Sequence, residues 1–113
     1  MKVENLDGVH NAAISVKVSV EVGVSYFDFG PKLRQFATEV ALAKEAGANS
    51  NAFEKYEAAL SMYKSSYSLW GTLLTVNRYN VGTKLYAQGE ASLQRGWAIA
   101  ASDIEDATKL HDR

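Results

Sequence analysis

Apolar residues recur at helical spacing along three parts of the chain. The longest stripe advances by alternating steps of three and four residues and comprises Phe53, Tyr56, Leu60, Tyr63, Tyr67, Trp70 and Leu74. A stripe nearer the C-terminus comprises Leu93, Trp97, Ala100, Ile104 and Ala107, with Leu110 at its margin. A third, within residues 32–46, comprises Leu33, Phe36, Val40 and Ala43. Because such steps keep side chains on one face of an α-helix, the pattern predicts three amphipathic helices.

Turn and capping residues predict where the helices begin and end. Gly47 is expected to end the helix at 32–46, because glycine adopts the left-handed conformation of a C-cap at little cost. The next helix is expected to begin near Asn51, with Glu54 in capping-box position.

Pro31 fits the first turn of the helix at 32–46, where its missing N–H costs no hydrogen bond. Asp28 and Gly30 lie where the N-cap of that helix belongs. Gly96 lies inside the C-terminal helix and predicts close approach of a neighbouring helix at that point.

Residues 14–24 show a different pattern. Every even position is apolar, and every odd position is polar, charged or glycine. Strict alternation with many valines favours a half-buried β-strand. A strand needs hydrogen-bonded partners, and residues 72–76 and 81–86 are the only other candidates. The alternative fold is therefore α+β, with a small sheet from residues 14–25, 72–76 and 81–86.

The same segment also has helical periodicity. One stripe comprises Val9, Ala13, Val16, Val20, Val24 and Phe27. Ile14, Val18 and Val22 form a second stripe on nearly the opposite side of the helix. A helix with two apolar faces must be covered on both, and a second copy of the chain is the expected cover. By periodicity alone the strand is slightly favoured over the helix.

A resemblance favours the helix. The run VEVGVSYFDFGPKLRQFATEVALA at 20–43 is similar to small uncharacterised bacterial proteins, many of them exported, that carry E-V-G-[IV]-x-Y-x-[DE]-[YF]. YEAALSMYKSSYSLW at 56–70, WAIA at 97–100 and ATKL at 107–110 extend the similarity. In those proteins the residues before E-V-G are helical, and the group has no known activity. We therefore expect a single all-α domain over residues 1–113, an antiparallel bundle of three to four helices.

Charge and composition exclude several classes of function. The 113 residues carry 12 basic and 13 acidic side chains without a run of one sign, which argues against nucleic-acid binding. The absence of cysteine excludes disulfides, thiol catalysis and thiolate metal sites. No apolar run approaches the ~20 residues of a transmembrane helix. We expect a soluble protein, exported or periplasmic if a leader has been removed ahead of Met1.

The strongest candidates for ligand contact are aromatic. Tyr63, Tyr67, Trp70 and Trp97 could line an apolar pocket, since such pockets combine aromatic walls with a few polar groups. The simpler interpretation is that these side chains, with Tyr56, form the core and keep their polar ends at its margin. We favour the simpler interpretation.

The sequence offers little for catalysis or metal binding. His10 and His111 could meet at one end of a bundle, where Asp7, Asp106 or Asp112 would complete a metal site. No pair of these residues has the spacing that places two ligands on one helical face, so we expect two exposed histidines and no metal or cofactor.

Glu21 lies inside the alternating run, where burial would raise the pKa of its carboxyl group and make it a candidate general base. Pairing with Lys17, one turn away, is the simpler expectation. Glu39 is a second candidate carboxylate.

Three functions are compatible with these features of the sequence. The preferred one is a non-enzymatic, self-associating helical interaction protein, a homodimer through Ile14, Val18 and Val22 that can also dock onto a partner protein. The alternative is a carrier of a small apolar ligand in an aromatic-lined cavity. An enzyme that uses Glu21 or Glu39 with a tyrosine ranks last, because no paired acid–base motif is present.

Overall fold

Four α-helices and no strand make up the described part of the chain. The computed structural model describes residues 5–78 and 83–111, and the side chains of residues 5–75 and 88–110. The helices are α1 (Asp7–Val22), α2 (Tyr26–Glu45), α3 (Asn51–Arg78) and α4 (Thr83–His111). The predicted all-α bundle is therefore confirmed.

Each helix runs antiparallel to the next. Tyr26 at the start of α2 lies against Gly71 of α3, whereas Gly30, one turn later, lies against the earlier Tyr67. The α3–α4 pair shows the same reversal and shares the most extensive helix contact in the molecule. Since α1 packs on both α2 and α4, the four helices form a closed up-down-up-down arrangement.

Residues 14–22 are helical, so the α+β alternative is wrong for the described residues. Val9, Ala13 and Val16 are buried in the core, and Val20 packs against it. The proposed partner strands do not exist there either, because residues 72–76 belong to α3 and residues 83–86 to α4. Residues 81 and 82 lie outside the described part. Without a partner strand, only a helix satisfies the backbone hydrogen bonds of this segment.

The helix α2 begins six residues earlier than predicted. Ser25 is its N-cap, and the Ser25 Oγ accepts a hydrogen bond of 3.1 Å from the N–H of Asp28. Pro31 is therefore not in the first turn but inside the helix. Proline has no N–H to donate to the Phe27 carbonyl, and this costs stability. Complete burial of Phe29, which the early start makes possible, offsets that cost.

The turn between α2 and α3 follows the prediction with one correction. Gly47 has a φ of 95°, as expected of a residue that follows a helix end. The cap of α3 is Ser50, not Asn51, because the Ser50 Oγ accepts a hydrogen bond of 3.2 Å from the N–H of Phe53. Serine places its hydroxyl close to its own backbone, which suits this capping geometry.

Most of the predicted inward positions are buried. The core is formed by Leu6, Val9, Ala12, Ala13, Val16, Phe29, Leu33, Phe36, Val40, Ala52, Phe53, Tyr56, Ala59, Leu60, Tyr63, Ala100, Ile104 and Ala107. The partly buried Ala43, Val24 and Leu110 pack against it. Within α3 one predicted position is wrong: Leu73 is buried and the predicted Leu74 is exposed. Beyond Gly71 the helix α3 meets α4 from a slightly different side, where Leu73 lies on Gly89.

The molecule is elongated, with dimensions of 57 × 22 × 21 Å. The helices α3 and α4 contain 28 and 29 residues, whereas α1 and α2 contain 16 and 20. Because the first residue of α2 lies at the level of Gly71, α3 continues for seven residues past that level. A two-helix extension of about 10 Å therefore projects from the four-helix part.

Candidate functional site

Aromatic side chains from three helices meet at one level of the bundle. This aromatic cluster comprises Tyr26 and Phe29 from α2, Tyr63, Tyr67 and Trp70 from α3, and Trp97 from α4. The ring centroids of Trp70 and Trp97 are 5.5 Å apart at an interplanar angle of 81°. Phe29 lies within 6.0 Å of Tyr63 and within 5.8 Å of both Tyr67 and Trp70. The structure thus brings together the four predicted ligand-contacting residues.

Tyr26 and Tyr67 form a reciprocal contact between α2 and α3. Their rings stack at 4.6 Å with an interplanar angle of 7°. Each tyrosine stands four residues before a glycine, and each hydroxyl lies against the glycine of the other helix. A Cβ on Gly71 would be 2.8 Å from the Tyr26 hydroxyl, and one on Gly30 would be 2.9 Å from the Tyr67 hydroxyl. Only glycine at these two positions leaves room for the stacked pair.

The polar ends of the cluster are in different environments. Burial, with a smaller contribution from the charge of Glu21, raises the pKa of Tyr63 well above its usual value. A hydrogen bond to Tyr67 and then desolvation raise the pKa of Tyr26. The buried Nε1–H of Trp97 has no hydrogen-bond acceptor within the described part of the chain. Tyr26 and Tyr63 are therefore neutral at physiological pH, and the Trp97 donor is unpaired among the described residues.

The rings of the aromatic cluster contact one another. Edge-to-face and stacked pairs of this kind stabilise a core by about 0.5–1.5 kcal/mol each beyond the burial of apolar area. The observed contacts agree with the simpler interpretation of these residues as core. Ligand binding by the cluster stays a prediction.

The two candidate carboxylates have structural partners. Lys17 Nζ is 2.8 Å from Glu21 Oε1 and 3.9 Å from Glu105 Oε1, so the predicted pairing of Glu21 with Lys17 is confirmed. Just over half of the Glu21 side chain is exposed. The Glu39 carboxylate lies against Gly8, in the first turn of α1, where the helix dipole favours a negative charge.

His10 is partly buried and pairs with a core tyrosine. Its Nδ1 is 2.7 Å from the Tyr56 hydroxyl, so the prediction of an exposed side chain is wrong for His10. Tyr56 projects from α3 toward α1, and this brings the two groups together. The side chain of His111 and all of Asp112 lie outside the described residues. Among the residues described, no group of three histidine, aspartate or glutamate side chains could hold a metal ion.

An exposed apolar surface lies where α1 meets α2. Val22 and Phe27 are 81% and 85% exposed, and Val18 is 45% exposed. Together with the exposed Pro31, these residues form what we term the corner surface. Ile14 does not belong to it, because its side chain is half-buried and packs against the core.

Phe27 was predicted on the inward stripe, and the structure shows the opposite. The helix α1 ends at Val22 and α2 begins at Tyr26, so the helical phase restarts between them. Gly23, with a φ of 106°, marks the interruption. The S-x-x-D run from Ser25 to Asp28 is the capping signal that could have revealed the new helix start, and with it the exposure of Phe27.

Two shallow grooves flank the corner surface. One, of about 560 Å³, lies between α1 and α2 and is lined by Val18, Ser19, Val22, Gly23, Val24, Ser25, Asp28, Pro31 and Lys32. The other, of about 470 Å³, lies between α2 and α3 and is lined by Phe27, Gly30, Pro31, Leu33, Arg34, Ala37, Lys64 and Tyr67. Exposed apolar side chains thus stand beside apolar concavities that carry charged rims.

Comparison with protein-family models, with curated proteins and with solved structures finds no match to this chain. Within the described ranges, no helix has the length and apolar character needed to cross a bilayer. The functional assignment therefore depends on the corner surface and the aromatic cluster.

Proposed function

We propose that this chain is a non-enzymatic helical interaction protein that self-associates through the corner surface. The observation that carries the proposal is the exposure of Val22 and Phe27, on either side of the α1–α2 turn. Burial of one such side chain stabilises an interface by about 1.5–3 kcal/mol. Large apolar side chains clustered on a surface in this way are typical of protein–protein contact sites.

A second copy is the occupant that best fits this surface. The corner surface has projecting apolar side chains and adjoining grooves. The side chains of one copy can therefore enter the grooves of another. A twofold dimer requires a self-complementary surface of this kind. The proposed dimer face includes Val18 and Val22 of the predicted face. It includes Phe27 but not Ile14.

Size-exclusion chromatography with light scattering tests the proposal. We expect the wild-type chain to be a dimer at tens of micromolar and the variant V18S/V22S to be a monomer. Ile99→Ser is the matched control, because Ile99 is also half exposed but lies on α4, away from the corner surface. A wild-type chain that remains monomeric at these concentrations would contradict the proposal.

A carrier of a small apolar ligand is the second candidate function. It is favoured by one observation, the buried Nε1–H of Trp97 that no described residue accepts. A ligand with a single acceptor atom beside Trp97 would satisfy this donor. Native mass spectrometry of the purified protein tests the idea: a bound small molecule that Trp97→Phe releases would support it, and a ligand-free mass would argue against it.

A further inference from the structure

We infer that the second copy binds with its α2 antiparallel to α2 of the first, across a twofold axis near Gly30 and Pro31. In this arrangement Asp28 of each copy faces Lys32 of the other, and Phe27 of each copy enters the groove between α2 and α3 of the other. The inference rests on the proposed self-association and specifies its geometry.

The charges of α2 are self-complementary in this arrangement. Asp28 and Lys32 are one helical turn apart, both are exposed, and both line the groove that contains Val18 and Val22. When two identical helices pair antiparallel about residue 30, position 28 of one lies opposite position 32 of the other. Each dimer then has two Asp–Lys pairs with opposite charges in contact. A parallel pairing would instead place like charges together, which is unfavourable.

Val18 and Val22 of α1 lie close to the same twofold axis. The antiparallel packing of α1 on α2 places Gly8 beside Glu39 at one end and brings Val22 into the same groove as Asp28 at the other. Because Gly8 lies beside Glu39, Val22 is near the level of Ser25 in this register, and Val18 is near the level of Phe29. The twofold axis that pairs Asp28 with Lys32 therefore also brings Val18 of one copy beside Val18 of the other.

Phe27 supplies the apolar anchor. Position 27 of one copy lies opposite position 33 of the other, which is beside the groove lined by Gly30, Pro31 and Arg34. The groove volume of about 470 Å³ is ample for one phenyl ring. The guanidinium of Arg34 is at the rim, where a cation can contact the face of an aromatic ring. Buried aromatic anchors typically dominate the binding energy of an interface.

Charge reversal and mixing test this geometry. Asp28→Lys places lysines at positions 28 and 32 of both copies, and Lys32→Asp places aspartates there. We expect each variant alone to dissociate about fivefold to tenfold more readily than the wild type, since like charges then face each other at two points. An equimolar mixture of the two variants is expected to form a heterodimer with affinity close to that of the wild type.

Mixing the two variants distinguishes a contact between two copies from a contact within one helix. A pairing of Asp28 with Lys32 inside one α2 would be lost in both variants, and mixing would not restore it. Glu45→Lys is the matched control, because it makes the same change of charge on an exposed position at the far end of α2. Circular dichroism and thermal unfolding of each variant check that the bundle is intact.

The outcomes distinguish this inference from the proposed function. If the wild type is a monomer, self-association itself is wrong. If the wild type is a dimer that V18S/V22S disrupts, while the mixture of Asp28→Lys and Lys32→Asp chains associates no better than either alone, only the α2–α2 geometry is overturned. Recovery in the mixture, with Phe27→Ser also monomeric, supports the geometry.

Discussion

At the scale of single residues, glycines leave room for side chains of the neighbouring helix. Gly96 of α4 meets Ser66 of α3, and Gly89 meets Leu73. On α2 and α3, Gly30 and Gly71 receive tyrosine hydroxyl groups from the opposite helix. A glycine inside a helix costs up to about 1 kcal/mol relative to alanine. The closer packing of side chains across the helix interface offsets this cost.

Gly96→Ala is expected to destabilise the protein although alanine favours a helix. A Cβ at this position would be 2.6 Å from the Ser66 Oγ, so the side chain or the helix must move. We expect a net loss of about 1–2 kcal/mol in the free energy of unfolding, measured by urea denaturation.

The double variant S66A/G96A provides the control for this prediction. Since Ser66→Ala removes the atom that the new Cβ would meet, we expect the double variant to recover most of the loss. Equal effects of Gly96→Ala in the presence and absence of the Ser66 hydroxyl would show that the contact does not limit the packing.

At the scale of the helices, capping side chains mark where α2 and α3 begin. Ser25 starts α2 early enough to include Tyr26 and Phe29 in the aromatic cluster. Ser50 starts α3 with its hydroxyl on the N–H of Phe53. Both caps precede the predicted positions in the sequence. Ser25 precedes the predicted Asp28 and Gly30, and Ser50 precedes the predicted Asn51. The consequence for α2 is large, because the early start changes the direction of Phe27.

Ser50→Ala and Asn51→Ala distinguish the observed cap of α3 from the predicted one. We expect Ser50→Ala to lower the free energy of unfolding by about 1 kcal/mol, because the N–H of Phe53 loses its acceptor. Asn51→Ala should be neutral or slightly stabilising, since alanine favours the helix interior. Thermal unfolding of the two variants measures the difference. The reverse order would assign the cap to Asn51.

At the scale of the whole molecule, the bundle has a part in which four helices pack together and an extension formed by α3 and α4. Up to the level of Gly71, α3 is packed by α2, α4 and α1. Beyond that level α3 packs on α4, where Leu73 lies on Gly89, and α2 has not yet begun. Local stability follows the number of buried apolar contacts around a segment. The extension should therefore open more readily than the four-helix part.

Hydrogen exchange measured by mass spectrometry checks this difference along a single helix. We expect the amides of residues 72–75 to exchange at least tenfold faster than those of residues 56–63, because opening the former disrupts fewer buried contacts. The comparison is internal to α3, so solvent conditions and helix type are matched. Uniform protection along α3 would show that the helix opens as one unit.

The sequence was most informative where one regular stripe runs without interruption. The stripe from Phe53 to Tyr63 and the one from Leu93 to Ala107 predicted buried residues correctly, because nothing breaks their helical phase. The same reasoning misplaced Phe27, since the phase restarts at Gly23. The aromatic cluster could be anticipated from spacing, but the stacking of Tyr26 on Tyr67 depends on the relative levels of α2 and α3, which no local pattern contains.

The sequence by itself determined that most of the chain is helical, because three uninterrupted stripes have helical periodicity, whereas for residues 14–24 periodicity alone slightly favoured a strand. Only the tertiary structure decided which apolar side chains remain in solvent. The side of α1 that faces its neighbours depends on where α2 and α4 lie, and a helix with apolar residues on two sides can bury either one. Val22 is exposed for that reason, and Phe27 is exposed because α2 begins a new helical phase at Tyr26. The proposed contact between copies follows from both.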